Sequence, residues 1–302
     1  RRRIEENEAR TLLRLALPKG SLERATLALF EDADLAVQRS SDRDYRATIA
    51  DPRIAEVRIL RPQEIPRYVA DGHFDLGITG RDWIEETGAV VQSLTQLHYS
   101  KATARPVRIV LAVPDASSVE SVADLKPGTR VSTEFPSLTR RFFDQHGIDA
   151  DVQLSYGATE AKVPDIVDAI VELTETGSSL RAAGMKIVGT ILVSHTELVA
   201  NREAYAEPEK RHAMEQIATL LLGTLEARGR VLVKLNVSET NLSSVIQILP
   251  ALKSPTVSKL FGGDDYAVET VVPKSEINTL IPALKDQGAT DIIELPISKI
   301  VH

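Results

Sequence analysis

Cysteine is absent, aromatic residues make up 4% of the chain, tryptophan occurs once, and basic residues are outnumbered by acidic ones. Each shortage excludes something. Without thiols there are no disulfides and no thiolate nucleophile or metal ligand, a composition that fits a reducing cytoplasm. A formal net charge of −7 with so few stacking rings argues against a general nucleic-acid surface. No apolar run approaches the roughly 20 residues that span a bilayer, so no membrane association is expected. The first ten residues carry charges of both signs, and the apolar residues behind them are broken by Arg14 and Pro18, which makes a poor signal peptide. Residues 1–11 are expected to form a flexible tail. The six histidines show no ligand spacing, so no protein-held metal is expected.

What is present is an alternation of short apolar runs and helical periodicities over 302 residues, enough for two or three domains. Up to Arg228 the order is β then α, an α/β architecture with mostly parallel sheets. Residues 12–108 and 109–193 read as two lobes, with the long extended segment Lys186–Ala200 returning toward lobe I, which then includes residues 194–228. Such a hinged two-lobe cleft is periplasmic-binding-protein-like. After a boundary near Arg228–Arg230, residues 229–302 read βαββαβ, the split ferredoxin-like arrangement, ending in a strand at Ile292–Ile300.

The most informative stretch is Asp168 to Leu180, a β-branched run carrying acids that ends in Glu175-Thr176-Gly177-Ser178-Ser179-Leu180 before a brief helix. N–H groups at such a junction can converge on a phosphate, the hydroxyls add donors, and the helix dipole favours negative charge. The acids upstream are placed to accept hydrogen bonds from a sugar diol. Taken alone, a small polar loop capping a helix without any ligand is the commoner reading.

Other junctions carry similar chemistry. Lys19 follows the first strand, at the end of a sheet where α/β proteins bind ligands. Asp75-Leu76-Gly77-Ile78-Thr79-Gly80-Arg81-Asp82 combines a buried strand with a glycine-rich exit; Thr79 offers a hydroxyl, Gly80 allows close approach, and Asp82 could orient an amine or hydroxyl. In Glu134-Phe135-Pro136-Ser137-Leu138-Thr139-Arg140-Arg141, Ser137 is the expected N-cap and Arg140 could neutralise pyrophosphate. Arg43, in a polar loop, could contact a phosphate or stack on a purine. Each of these fits a plain surface turn as well.

Taken together, these segments resemble the long form of the ATP phosphoribosyltransferase family, the first enzyme of histidine biosynthesis, and the likeness spans nearly the whole chain after about residue 12. Asp168 to Leu180 resembles that family's phosphoribosyl-pyrophosphate fingerprint, and Leu249 to Val257 its regulatory ACT-like domain. The resemblance implies transfer of a 5-phosphoribosyl group from phosphoribosyl pyrophosphate to N1 of ATP with Mg2+, giving phosphoribosyl-ATP and pyrophosphate. It also implies a homohexamer exchanging with dimers and feedback inhibition by histidine at Leu252, Ser254 and Thr256. The chain departs from the pattern at Glu172, where the family usually has Asp, at Ser179, where Thr is usual, and across Glu160–Val167, which lacks a glycine common there.

On this basis the expected phosphoribosyl-pyrophosphate residues are Asp168, Glu172, Glu175, Thr176, Gly177, Ser178, Ser179 and Leu180, and the ATP residues are Lys19, Arg43, Thr79, Gly80 and Asp82. Glu172 and Arg140 are the expected catalytic side chains. Glu172 is favoured over Asp168 for the ribose hydroxyls because the two stand about 13 Å apart at roughly 3.3 Å per residue, and Glu172 is nearer the loop. Mg2+ would be carried mainly by pyrophosphate oxygens and water. The rival reading is a non-catalytic two-lobe binding module with an amino-acid-sensing tail.

Overall fold

A computed structural model describes residues 12–99, 106–250 and 254–302; the expected tail at 1–11 and Leu252 lie outside them. The chain divides into two compact units, the first reaching Ala218 and the second running Thr219–His302.

The first unit is built on two sheets. Strands β1 (Leu13–Pro18), β2 (Val37–Gln38), β3 (Arg46–Ile49), β4 (Ile54–Leu60), β5 (Leu76–Gly80) and β6 (Gln92–Gln96) belong to the first, with helices α1 (Glu23–Asp32), α2 (Ile65–Ala70) and α3 (Arg81–Thr87) between them. The second holds β7 (Val107–Pro114), β8 (Thr129–Thr133), β9 (Ala150–Leu154), β10 (Ala169–Thr174) and β11 (Met185–Ser194), with α4 (Pro136–Gln145) and α5 (Ser178–Ala182). β12 (Thr196–Ala200) then returns to the first sheet, whose order is β2-β3-β4-β1-β5-β12-β6; the second is ordered β11-β7-β10-β8-β9.

The expected run Lys186–Ala200 is thus two strands in two sheets, and His195 alone separates them. This return stroke gives the two-lobe α/β arrangement read from the sequence. The expectation of mostly parallel sheets is corrected: β1 pairs parallel with β4 and β5, and β8 with β9 and β10, but β12 runs antiparallel to β5 and β6, and β7 antiparallel to β10 and β11.

Buried strand residues such as Leu15, Leu17, Ile59 and Ile78 fill the first sheet's core. Ile109, Leu111, Val131 and Phe143 fill the second's. After α6 (Arg202–Ala206), the long helix α7 (Pro208–Ala227) runs from the first compact unit into the second and ends just before Arg228–Arg230. Its last turns pack on the chain's end: Ile300 N–H donates to Gly223 O at 2.9 Å.

The second unit continues β13 (Arg230–Val237), α8 (Glu239–Ile248), β14 (Thr256–Lys259), β15 (Tyr266–Pro273), α9 (Ile277–Asp286) and β16 (Thr290–Pro296). Its sheet order, β14-β15-β13-β16, is all antiparallel and ferredoxin-like. Alternate residues Val231, Val233, Leu235 and Val237 point into one core with Leu280 and Leu284. The final strand stops at Pro296, short of the expected Ile300. Among the described residues no helix is long and apolar enough to cross a membrane.

Candidate functional site

The glycine loop forms where β10 ends. Thr174 is buried, and its hydroxyl accepts the Gly177 N–H at 2.8 Å, which folds the chain back sharply. Gly177 then takes a left-handed conformation, φ 74°, and α5 starts at Ser178. Any side chain there would be strained, and a Cβ would stand 2.9 Å from Arg181 Nη1 and 3.2 Å from Ile187 Cδ1. The hydroxyls of Thr176 and Ser178 lie 2.9 Å apart, and Arg181 Nη1 donates to Thr176 O at 3.1 Å. Leu180 anchors the helix beneath by packing with Val110, Ile170 and Met185. The first-turn N–H groups of Ser178, Ser179 and Leu180 have no intrahelical acceptor.

A cavity of about 300 Å³ opens beside Ser179 and Leu180, walled by Thr159, Glu160, Glu134 and Glu172. A larger cleft of about 740 Å³ is lined by Lys19, Gly80, Asp82 and Trp83 from the first lobe and by Phe135 and Leu173 from the second. Glu134 and Glu172 line both. Burial raises the Glu172 pKa, and the neighbouring charges of Glu134 and Glu160 push the same way, against the hydrogen bond from the Leu173 N–H and the nearby Thr159 hydroxyl. The Leu173 N–H lies 3.0 Å from Glu172 Oε1.

On the first-lobe wall, Lys19 is half-buried after β1, with Nζ 4.2 Å from the centre of the Tyr45 ring. At the end of β5 the Asp82 carboxylate folds back over Gly80, where a Cβ would stand 1.9 Å from Asp82 Oδ1. Ser194 Oγ donates to Asp82 Oδ1 at 3.1 Å and accepts the Asp82 N–H at 3.0 Å. Burial raises the Asp82 pKa, against the Ser194 hydrogen bond. His195 and His98 stack edge-on at 5.4 Å on the same cleft wall.

Five expected residues stand elsewhere. Asp168 is exposed and ion-paired with Arg130, which donates from Nη2 at 2.8 Å and from its N–H at 2.9 Å; the guanidinium holds the carboxyl below its usual range. Thr79 is fully buried and donates to Pro62 O at 3.0 Å, so its hydroxyl braces the chain instead of facing the cleft. Arg43 is exposed and Arg140 donates to Val152 O at 3.1 Å; neither is on a cavity wall. Ser137 is not an N-cap: α4 begins at Pro136 with Phe135 in the cap position. Ser254 and Thr256 are exposed in the second unit, and Glu175 is half-buried beside the loop.

The sequence reading nominated Glu134 only as part of a motif and missed Thr159, Glu160, Trp83 and Ser194. For Glu134 a signal existed, since it is the acid directly after β8 at a strand-to-helix junction. Among the described residues no group of three or more His, Asp or Glu side chains is arranged to hold a metal ion.

The family model described as ATP phosphoribosyltransferase matches residues 61–223, and that of the HisG C-terminal domain matches residues 227–299. A curated ATP phosphoribosyltransferase from Pelotomaculum thermopropionicum is 47% identical over 289 residues, covering 96% of this chain and 99% of that one. Another from Desulforudis audaxviator is 48% identical with the same coverage. Among solved structures, the ATP phosphoribosyl transferase (HisG:HisZ) complex from Thermotoga maritima is similar at a TM-score of 0.60 and 25% identity, covering 70% of this chain and 97% of that chain.

Proposed function

The chain belongs to the ATP phosphoribosyltransferase family, which performs the first step of histidine biosynthesis, and we propose that its two adjoining cavities hold the two substrates of that reaction. The observation that carries this layout is that Glu134 and Glu172 line both. The reacting carbon of the ribose has to sit where the two substrates meet.

In this reading the first-turn N–H groups of Ser178, Ser179 and Leu180, with the Thr176 hydroxyl, hold the 5-phosphate of phosphoribosyl pyrophosphate. Glu172 accepts the ribose hydroxyls. ATP lies along Lys19, Gly80 and Asp82, with Asp82 and Ser194 facing the purine amine. N1 of adenine attacks C1 of the ribose as the bond to pyrophosphate breaks, with oxocarbenium character at the sugar. N1 already carries a lone pair, so positioning and electrostatics suffice and no general base is needed. Glu134 and Glu172 place negative charge beside the developing cation. Asp168, tied to Arg130, and Arg140, tied to Val152 O, stay outside the chemistry.

Mg2+ fits this donor set as cargo of the substrate. The three acids around the smaller cavity would repel bare pyrophosphate, yet they form no metal cage. A divalent ion carried by pyrophosphate offsets that charge. We assign the second unit to feedback by histidine, with Leu252, Ser254 and Thr256 as effector contacts, and the assembly to a hexamer exchanging with dimers. ATP and phosphoribosyl pyrophosphate place the work in the cytoplasm.

An ultraviolet assay of phosphoribosyl-ATP formation, with and without histidine, tests the reading. Glu172→Ala should cut turnover at least about a hundredfold while the far-ultraviolet dichroism stays unchanged, the scale expected when a charged contact to the reacting sugar is lost. Near wild-type kinetics would remove Glu172 from the site. No pyrophosphate release from the wild type would favour a non-catalytic binding module.

A further inference from the structure

The acids lining the larger cleft include Glu23, Asp82, Glu134 and Glu172. Glu23 is ion-paired with Arg39 Nη1 at 2.8 Å. Glu134 and Glu172 also line the smaller cavity, to which the sugar is assigned. Asp82 differs from all three. It is 5% exposed, and among the described residues no cation stands against it. Ser194 is the one described side chain that donates to its carboxylate.

The Ser194 contact has one direction. The Asp82 N–H can only donate, and Ser194 Oγ accepts it at 3.0 Å. The hydroxyl proton is then left for Asp82 Oδ1, 3.1 Å away. Next to this pair, the Arg81 N–H donates to His195 O at 2.9 Å. Two successive links thus tie the start of α3 to the point where β11 gives way to β12. The missing Cβ of Gly80 leaves room for the carboxylate to fold back. The ionised carboxylate is held in place, and its remaining lone pairs can only accept. Burial opposes its charge, so it is stabilised most by a partner that is itself positive.

The reaction creates such a partner. As N1 of adenine attacks C1 of the ribose, the N1–C1 bond forms and the bond from C1 to pyrophosphate breaks. The electron pair of the broken bond leaves with pyrophosphate. N1 has given up its lone pair, so the purine becomes positive, and conjugation spreads that charge over N1, C6 and the exocyclic amine. The base of ATP carries no such charge before the attack. We propose that Asp82 is a catalytic residue as well as an ATP contact: its carboxylate accepts the purine amine and offsets the charge the attack leaves on the base, with Ser194 as the positioning residue that holds it there. The proposal rests on the placement of ATP in the larger cleft. Glu134 and Glu172 answer the cation on the sugar, and Asp82 answers the one on the base. An interaction that strengthens only as the transition state forms raises turnover more than affinity.

The test uses the full chain and N1-methyl-ATP, whose purine carries the same charge with a methyl group in place of the ribose. In calorimetry without phosphoribosyl pyrophosphate, the wild type should bind it at least about tenfold more tightly than ATP, the scale of one charge-assisted hydrogen bond. Equal or weaker binding overturns the proposal, and this measurement needs no variant. Asp82→Asn keeps the shape of the side chain and removes its charge. It should abolish the preference for N1-methyl-ATP and slow single turnover at saturating substrates roughly a hundredfold. KM for ATP should rise no more than about tenfold. Ser194→Ala, which keeps the carboxylate and frees it, should slow single turnover roughly tenfold and weaken the same preference. A raised KM for ATP with single turnover and the preference both retained in Asp82→Asn makes Asp82 a binding contact alone, which overturns the inference and leaves ATP in the larger cleft. Unchanged ATP affinity and turnover in Asp82→Asn overturns the placement of ATP itself.

Discussion

The carboxylate of Glu86 on α3 accepts the backbone N–H groups of Ser137 at 2.9 Å and Leu138 at 2.8 Å on α4. Helix α4 cannot cap itself. Phe135, in the cap position, has no side-chain oxygen, and Pro136 has no N–H, so Ser137 and Leu138 carry the first orphan donors. Glu86 supplies from the first lobe the oxygen that an N-terminal serine or aspartate would supply locally. Trp83 of the same helix packs on Phe135 with ring centres 4.6 Å apart, and Arg141 donates to Glu85 O. The anion at this helix N-terminus is the protein's own. Glu86→Ala should therefore lower stability by about 1–2 kcal/mol, the scale of a lost cap, which is about 2–4 °C in Tm per kcal/mol for a unit of this size. Because Glu134 and Phe135 lead into α4 and line the cleft, KM should rise as well. A melting curve and kinetics that overlay the wild type would show that the two lobes do not depend on this contact.

The same two residues show what a sequence conceals. Serine before an apolar run is a fair N-cap signal, yet the helix starts earlier because Pro136 is pre-set for the first helical position. The acceptor lies far away in sequence. Strand β6, Gln92–Gln96, has almost no apolar character and exists because β12 pairs with it, which no periodicity can announce. The extended segment to Ala200 changes sheet at His195, and the only local mark of the change is the polar stretch Ser194-His195-Thr196-Glu197 between two apolar halves. By contrast β13 alternates buried and half-buried residues throughout, so the βαββαβ unit was legible from pattern alone. In the site, the glycine loop was legible because its turn chemistry is local. Thr159 and Glu160 were not, because only the fold brings them to the cavity that Glu172 lines.

Gly177 must adopt a left-handed conformation between Thr174, whose hydroxyl takes its N–H, and the first turn of α5. A valine there would be strained at φ 74° and would meet Arg181 and Ile187 at once. The loop would have to open, scattering the N–H groups assigned to the 5-phosphate. Gly177→Val should abolish phosphoribosyl-pyrophosphate binding in calorimetry while ATP still binds. Unchanged heat of binding for phosphoribosyl pyrophosphate would disprove the loop assignment.

Gly80 is a different case, because its backbone conformation is extended and accessible to any residue. What it lacks is room: a Cβ would fall 1.9 Å from Asp82 Oδ1. Gly80→Ala should push the Asp82 carboxylate off Ser194 and raise KM for ATP roughly tenfold, the scale of one lost hydrogen bond to a charged group. KM for phosphoribosyl pyrophosphate should hardly change. A rise in the second constant and none in the first would exchange the two cavities.

Asp75 is buried at 2% side-chain exposure and receives Arg14 Nε at 3.0 Å, the Arg14 N–H at 2.8 Å and Lys210 Nζ at 3.0 Å. Burial alone would raise its pKa, but the hydrogen bonds from Arg14 and Lys210 outweigh that and hold it below the usual value. A carboxyl depressed in the folded state stabilises the fold fully above its unfolded pKa, about 3.9, and loses that contribution as pH falls through the folded value. Asp75→Asn leaves two cations without their counter-charge. Breaking a buried pair costs about 3–5 kcal/mol, and the partial exposure of Arg14 reduces this to about 2–3 kcal/mol. Urea unfolding at pH 7 should show that deficit, and the gap between variant and wild type should close as pH drops below about 4. A gap that stays constant down to pH 2 would mean that the contribution of Asp75 does not come from its charge.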